Sequence, residues 1–141
     1  MLNIQNPKSE YRNPKQYLIT KIQNSKQYDL ESRTLEFARN VRNFIKKLPK
    51  TIGNIEDGKQ VIRSSGSIGA NYIEANEALS KKDFQMRIKI SRKEAKETMY
   101  WLQLVDVGGN NVLEKERKDL LREATELMLI FGSILQKTNK V

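Results

Sequence analysis

The most informative segment of the sequence for the fold is Gln60-Val-Ile-Arg-Ser-Ser-Gly-Ser-Ile-Gly-Ala-Asn-Tyr-Ile-Glu-Ala-Asn76. When this segment and the residues just before it are placed on a helix, one side carries an apolar stripe of Ile55, Ile62, Gly66, Gly69 and Ile73. A glycine inside a helix costs about 1 kcal/mol relative to alanine. Gly66 and Gly69 therefore predict that another helix packs closely against this one. Because Val61, Ile68 and Tyr72 widen the apolar arc, we expect this to be the central helix of a bundle.

The opposite side of the same helix is polar. Its residues recur at i, i+4, i+8 and i+11: Arg63, Ser67, Asn71 and Glu74. Such a stripe forms either a hydrogen-bonded structural network or a small-molecule pocket, and the network is the prediction we adopt.

Composition limits the possible functions. The 141 residues predict one domain, and 38% hydrophobic with 30% charged residues is typical of a soluble globular protein. The chain has no apolar run long enough for a transmembrane helix and no secretory signal pattern. Cysteine and histidine are both absent, which removes disulfides, thiolate metal sites, the commonest general base and the commonest metal ligand. We expect a cytoplasmic protein that is not an enzyme and uses no metal or cofactor.

Amphipathic patterns predict four helices in all, over about residues 30–48, 54–76, 81–107 and 112–137. Pro49 ends the first helix, and Asn54 is the expected N-cap of the second. Short connections between successive helices favour antiparallel neighbours. The predicted fold is an all-α, antiparallel, up-down-up-down four-helix bundle over residues 29–141, with an N-terminal extension.

That extension, residues 1–28, is rich in Asn, Gln, Pro, Lys and Tyr and has weak periodicity. It contains five basic residues and one acidic residue. We predict a basic arm that is partly disordered or docked on a neighbouring subunit. The tyrosines between its basic residues would suit stacking on nucleic acid, although a plain flexible tail fits as well.

The third predicted helix carries a concentration of positive charge. Seven basic residues, with only two acidic ones among them, lie between positions 81 and 96: Lys81, Lys82, Arg87, Lys89, Arg92, Lys93 and Lys96. A basic ridge along one helix is a common way to meet a phosphate backbone, and the formal net charge of +9 favours a polyanionic partner. A solvated, charged face is the alternative.

The core stripe predicted for this helix is Phe84, Ile88, Ser91, Ala95, Thr98 and Leu102. A second apolar strip, Met86, Ile90, Trp101 and Leu104, does not coincide with it. One neighbouring helix cannot cover both strips. Large aromatic side chains are enriched in subunit interfaces, so Ile90, Trp101 and Leu104 predict a homo-oligomer interface.

Three segments together resemble one known protein family. They are Arg63-Ser-Ser-Gly-Ser-Ile-Gly-Ala-Asn-Tyr-Ile-Glu-Ala-Asn-Glu-Ala78, Ser80-Lys-Lys-Asp-Phe84 and Arg92-Lys-Glu-Ala-Lys-Glu-Thr-Met-Tyr-Trp-Leu102. They resemble the four-helix-bundle family of 23S ribosomal RNA intervening-sequence proteins, over about residues 29–137. The resemblance implies an antiparallel bundle that assembles into a homopentamer. It also extends to the accessory variability determinant of diversity-generating retroelements, a basic pentamer that binds nucleic acid and a reverse transcriptase.

Two functional hypotheses follow. The first is a homo-oligomeric scaffold that binds RNA or DNA through the basic residues of the third helix. The second is a protein-interaction module whose charge attracts an acidic protein, such as a reverse transcriptase, without direct nucleic-acid contact. An enzyme built around Arg63, Asn71 and Glu74 is the least favoured alternative.

Overall fold

A computed structural model describes residues 29–139, and these form four helices joined by short connections. The helices are α1 (Leu30–Lys46), α2 (Ile52–Asn76), α3 (Lys81–Leu104) and α4 (Asn111–Asn139). The described residues contain no β-strand, which confirms the predicted all-α class. The predicted arm, residues 1–28, lies outside the described residues. The chain divides into two units at Arg33 and Thr34, and every contact between helices described below lies within the second unit.

Contacts between helices show that each helix is antiparallel to the next. Along α1 and α2, Thr34 faces Gly69 whereas Ile45 faces Gly58. Between α2 and α3, early residues of one helix contact late residues of the other, as in the pairs Ser64–Thr98 and Asn71–Arg87. Between α3 and α4, Gln85 contacts Asn139 and the Leu102 carbonyl oxygen contacts Arg117. The topology is therefore up-down-up-down.

The core is formed by one face of each helix. Its fully buried large side chains are Phe37, Val41 and Phe44 of α1, Val61 and Ile68 of α2, Ile88 and Leu102 of α3, and Leu127 and Phe131 of α4. On α3 the buried residues also include Ser91, Ala95 and Thr98, which confirms the predicted core stripe of that helix.

The predicted buried face of α2 is only partly correct. Val61 and Ile68 are fully buried, but Ile55 and Ile73 are exposed, and Ser64 and Ser65 are buried instead. Because α1 and α3 flank α2 on two sides, its contact positions require small side chains. A Cβ atom built on Gly69 would lie 2.6 Å from Thr34 Oγ1, and Ser64 Oγ lies 2.8 Å from Thr98 Oγ1. Close packing and hydrogen bonds replace large apolar side chains along α2.

The helix boundaries also differ in detail from the predictions. Thr51, and not Asn54, caps α2, and its side chain accepts a hydrogen bond from the Asn54 backbone N–H at 3.0 Å. Ser80 caps α3 by accepting from the Asp83 N–H, also at 3.0 Å. The third helix ends at Leu104, three residues before the predicted end at Val107, because the chain turns there through Gly108 and Gly109 with positive φ angles of 66° and 73°.

Asn54 is buried and joins two connections of the bundle. Its Nδ2 donates to the carbonyl oxygens of Pro49 and Asp106, both at 2.8 Å, and its Oδ1 accepts from the Asp106 N–H at 2.8 Å. This side chain therefore fixes the chain after α1 to the chain after α3, at one end of the bundle.

Candidate nucleic-acid interface

The basic residues of α3 are largely available to solvent. Five of the seven predicted cations are exposed and form no salt bridge with the described residues: Lys82, Lys89, Arg92, Lys93 and Lys96. Lys81 is also exposed, but it has an interaction partner. Cations of α4 differ, because Lys115 and Arg122 both pair with Asp119 of their own helix. Positive charge is therefore least neutralised along α3.

Arg87 does not belong with the exposed cations. It is half-buried, and its Nη1 donates to Asn71 Oδ1 of α2 at 3.0 Å. Arg87 thus lies on the side of α3 that faces α2, and its charge is directed to a neighbouring helix. We define the basic ridge from here on as the five exposed, unbridged cations Lys82, Lys89, Arg92, Lys93 and Lys96.

Three ridge residues line a groove between α3 and α4 of about 680 Å³. Lys89, Arg92 and Lys96 form the α3 wall. The α4 side contributes apolar residues and polar groups, namely Met128, Leu129, Gly132, Ser133, Leu135, Gln136 and Asn139. A hydrogen bond of 2.7 Å from Gln85 Nε2 to Asn139 Oδ1 joins the two helices near one end. The groove has no acidic residue in its lining.

The α4 side of this groove was missed in the sequence. Leu129 is 62% exposed and lies outside the core stripe of α4. Gly132 is a glycine in the interior of a helix of 29 residues. Both departures from a regular amphipathic pattern are visible in the sequence, but nothing in the sequence shows that they face the cations of α3.

Within α2, side chains of the predicted polar stripe donate hydrogen bonds to backbone carbonyl oxygens and not to one another. Ser67 Oγ donates to the Arg63 carbonyl oxygen at 3.0 Å, and Asn71 Nδ2 donates to the Ser67 carbonyl oxygen at 2.9 Å. The fourth member, Glu74, is exposed and makes no side-chain hydrogen bond to the other three. Two of the four residues also reach α3, Asn71 through Arg87 and Arg63 through two glutamates.

Arg63 forms an ion cluster with α3. Its Nη1 lies 3.3 Å from Glu94 Oε1, and its Nη2 bonds to Glu97 Oε2, which also accepts from Trp101 Nε1 at 3.0 Å. The hydrogen bond from Trp101 lowers the pKa of the Glu97 carboxyl, with Arg63 and Lys93 adding to the effect against partial burial. The hydrogen bond to Glu97 raises the pKa of Arg63. Arg63 and Glu97 therefore stay ionised at neutral pH, and the hydrogen bond to Glu97 holds the Trp101 ring in place.

The second apolar strip of α3 lies on the surface. Met86 is 51% exposed and Leu104 is 50% exposed, while Ile90 and Trp101 are half-buried. Tyr100, also exposed, packs edge-on against Trp101 with ring centroids 5.0 Å apart. The exposed apolar side chains on this face, Met86 near the start of α3 and Leu104 at its end, are suited to a contact with another protein surface.

Residues 29–139 show no group of three or more acidic side chains placed to hold a metal ion. Within the same range, no helix combines the length and the apolar character needed to cross a membrane.

Comparison with known proteins agrees with this fold. The model of the family described as 23S rRNA-intervening sequence protein matches residues 21–132. The chain belongs to this family. A solved structure from Bacteroides thetaiotaomicron VPI-5482, a protein of unknown function from the S23 ribosomal protein family, is 33% identical with a TM-score of 0.64. The match covers 74% of this chain and 96% of that one. No curated protein matches the chain. Family membership thus supports the resemblance found in the sequence.

Proposed function

We propose that this family member is a non-enzymatic, cytoplasmic, homo-oligomeric scaffold that binds nucleic acid through the basic ridge of α3. The observation that carries the proposal is that the ridge residues are exposed and form no salt bridge within the described residues. Phosphate groups would replace water and counterions around these cations, and the release of counterions favours binding at low salt. The formal net charge of +9 extends the attraction beyond direct contacts.

The charge distribution supports the proposal more than the total charge does. Surface cations contribute little to folding when they are exposed, and the cations of α4 are partly neutralised by neighbouring carboxylates. By contrast, the ridge residues of α3 have no salt-bridge partner among the described residues, so no salt bridge neutralises their charge. Several exposed cations on one helix can contact successive phosphates of a polynucleotide backbone.

The oligomer is the second part of the proposal. The exposed strip of Met86 and Leu104, with Trp101 between the two in sequence, supplies an apolar surface on the same helix as the ridge. Self-association through this strip would place several ridges in one particle. The homopentamer that the family resemblance implies is the assembly we adopt.

The proposal is tested by reversing charge on the ridge. In the variant Lys89→Glu/Lys93→Glu/Lys96→Glu, binding to a labelled polynucleotide should weaken at every salt concentration, because three attractions become repulsions. The slope of log K against log[salt] should become less steep by about 2–3, roughly one unit for each lost phosphate contact. Fluorescence anisotropy over a salt series measures both quantities.

The matched control is Arg39→Glu/Lys50→Glu/Lys59→Glu, which makes the same change in net charge at exposed positions outside α3. Its salt dependence should stay close to that of the unchanged protein. Circular dichroism shows whether each variant keeps its helices. If the folded ridge variant binds with unchanged affinity and slope, the ridge is not the interface. If the unchanged protein has no affinity for nucleic acid at physiological salt, while a pull-down recovers an acidic protein such as a reverse transcriptase, the second hypothesis replaces the first.

A further inference from the structure

We infer that the groove between α3 and α4 selects single-stranded over duplex nucleic acid, by holding phosphates on its α3 wall and unpaired bases on its α4 wall. This inference rests on the proposed function and adds the class of nucleic acid that the site takes. Three structural features carry it: the asymmetric charge of the walls, the exposed apolar residues of α4, and the position of Gly132.

The α3 wall provides the charge. Lys89, Arg92 and Lys96 line it, and no acidic residue lines the groove on either side. The three cations are spaced three or four residues apart, so they follow one side of the helix. An anion on this wall would meet several positive charges in succession. A chain of phosphates fits this wall better than an isolated anion.

The α4 wall has a different chemistry. Leu129 is 62% exposed and Met128 is half-buried, and both line the groove together with Gly132. Ser133 and Gln136 add hydrogen-bonding groups beside them. Apolar side chains contact the faces of bases, and hydroxyl and amide groups bond to base edges. In a duplex the base faces are covered by stacking, whereas an unpaired strand exposes them. This wall can therefore interact with single strands and contributes little to a duplex.

Gly132 is the most informative position of the groove. The other glycines well inside helices, Gly58, Gly66 and Gly69, have side-chain atoms of α1 within 4 Å of a built Cβ. A Cβ on Gly132 would meet nothing within 4 Å. An interior glycine costs about 1 kcal/mol of helix stability relative to alanine, and packing within the described chain does not compensate this cost. The glycine keeps the groove open, as the close approach of a ligand to the helix backbone requires.

The chemistry of the lining also sets the character of binding. Bases usually stack on aromatic rings in single-strand binding proteins, but the groove lining contains no aromatic residue. Leucine and methionine distinguish poorly between bases. The apolar contacts should therefore depend weakly on sequence, and any preference between bases would come from Ser133 and Gln136. Because Lys82 and Lys93 continue the ridge outside the groove lining, a longer strand should bind more tightly than a short one.

Two variants test the α4 wall without changing its charge. Gly132→Leu fills the open space, and Leu129→Gln removes an apolar contact. The matched controls are Gly53→Leu, at the other described helical glycine with nothing within 4 Å of its built Cβ, and Leu79→Gln, at a leucine that is 98% exposed outside the groove. The probes are a labelled oligouridylate and an RNA duplex with the same number of phosphates, measured by fluorescence anisotropy at fixed salt.

The unchanged protein should bind the single strand more tightly than the duplex. Each groove variant should weaken single-strand binding about tenfold, the size expected for losing the burial of one apolar side chain, and change duplex binding less than twofold. Both controls should leave both affinities unchanged. If the groove variants bind single strands normally while the charge-reversed ridge variant does not, the groove inference is wrong and the ridge stands. If the groove variants lose the same affinity for single strands as for the duplex, the inferred selectivity is wrong. If neither probe binds the unchanged protein, the proposed function fails as well.

Discussion

Single glycines differ in their effect on this bundle according to what faces them. Gly69 of α2 packs against Thr34, whose Cβ and Oγ1 lie 3.1 and 2.6 Å from a built Cβ. Thr34 is buried and branched at Cβ, so it has little freedom to move away. Gly132 of α4 faces open space. The sequence alone predicts close packing at Gly66 and Gly69, but it cannot separate a packed glycine from an open one, because the difference depends on the neighbouring helix.

Replacing each glycine by alanine should therefore have opposite effects on stability. Both substitutions gain about 1 kcal/mol of helix propensity. Gly132→Ala should keep most of this gain and raise the free energy of unfolding. Gly69→Ala also forces a methyl group against Thr34, and such overpacking costs about 1–3 kcal/mol. It should be less stable than Gly132→Ala by about that amount. Urea denaturation followed by circular dichroism measures both, and equal stabilities would contradict the packing of α1 on α2.

At the scale of elements, the sequence predicts helices better than it predicts which side of them is buried. The number, order and approximate limits of the four helices follow from periodicity, and so does the core stripe of α3. The second helix is the exception, since it buries Ser64 and Ser65 and exposes Ile55 and Ile73. Hydropathy misplaces a face when close packing against two neighbours excludes large side chains. The groove between α3 and α4 cannot be predicted from the sequence, because the pattern of one helix does not show which of its residues face the other helix.

Asn54 shows how one side chain holds elements together. The sequence predicts it as a helix cap, but it forms three hydrogen bonds of 2.8 Å to the backbone of Pro49 and Asp106. Asn54→Ala removes all three hydrogen bonds, each of which contributes about 0.5–1.5 kcal/mol. The expected loss of stability is about 2–4 kcal/mol. Asn43→Ala, at an exposed position of α1, should change it by less than about 0.5 kcal/mol. A comparable loss in both variants, measured by urea denaturation, would contradict the bridging role.

At the scale of the whole molecule, α3 carries two surfaces of different chemistry, the exposed cations of the ridge and the apolar strip of Met86, Ile90, Trp101 and Leu104. In the proposed function the ridge contacts a polyanion and the strip contacts another subunit. If the strip joins subunits, several ridges act on one polynucleotide. Linked sites can raise overall affinity by about 10²–10⁴-fold without any new contact. Oligomerisation is then part of the binding mechanism, and a monomer should keep the ridge but lose most of the affinity.

The variant Met86→Glu/Leu104→Glu tests this coupling by placing charge in the apolar strip. Light scattering at micromolar concentration should give a multiple of 16.4 kDa for the unchanged protein and 16.4 kDa for the variant. Affinity for a long single strand should fall more than affinity for a strand that spans one ridge, because only the long strand engages several subunits. The control Leu79→Glu/Val112→Glu makes the same change in charge at residues 98% and 72% exposed outside the strip, and should remain oligomeric. A monomeric unchanged protein would rule out the assembly, whereas a monomeric variant with full affinity for long strands would separate assembly from binding.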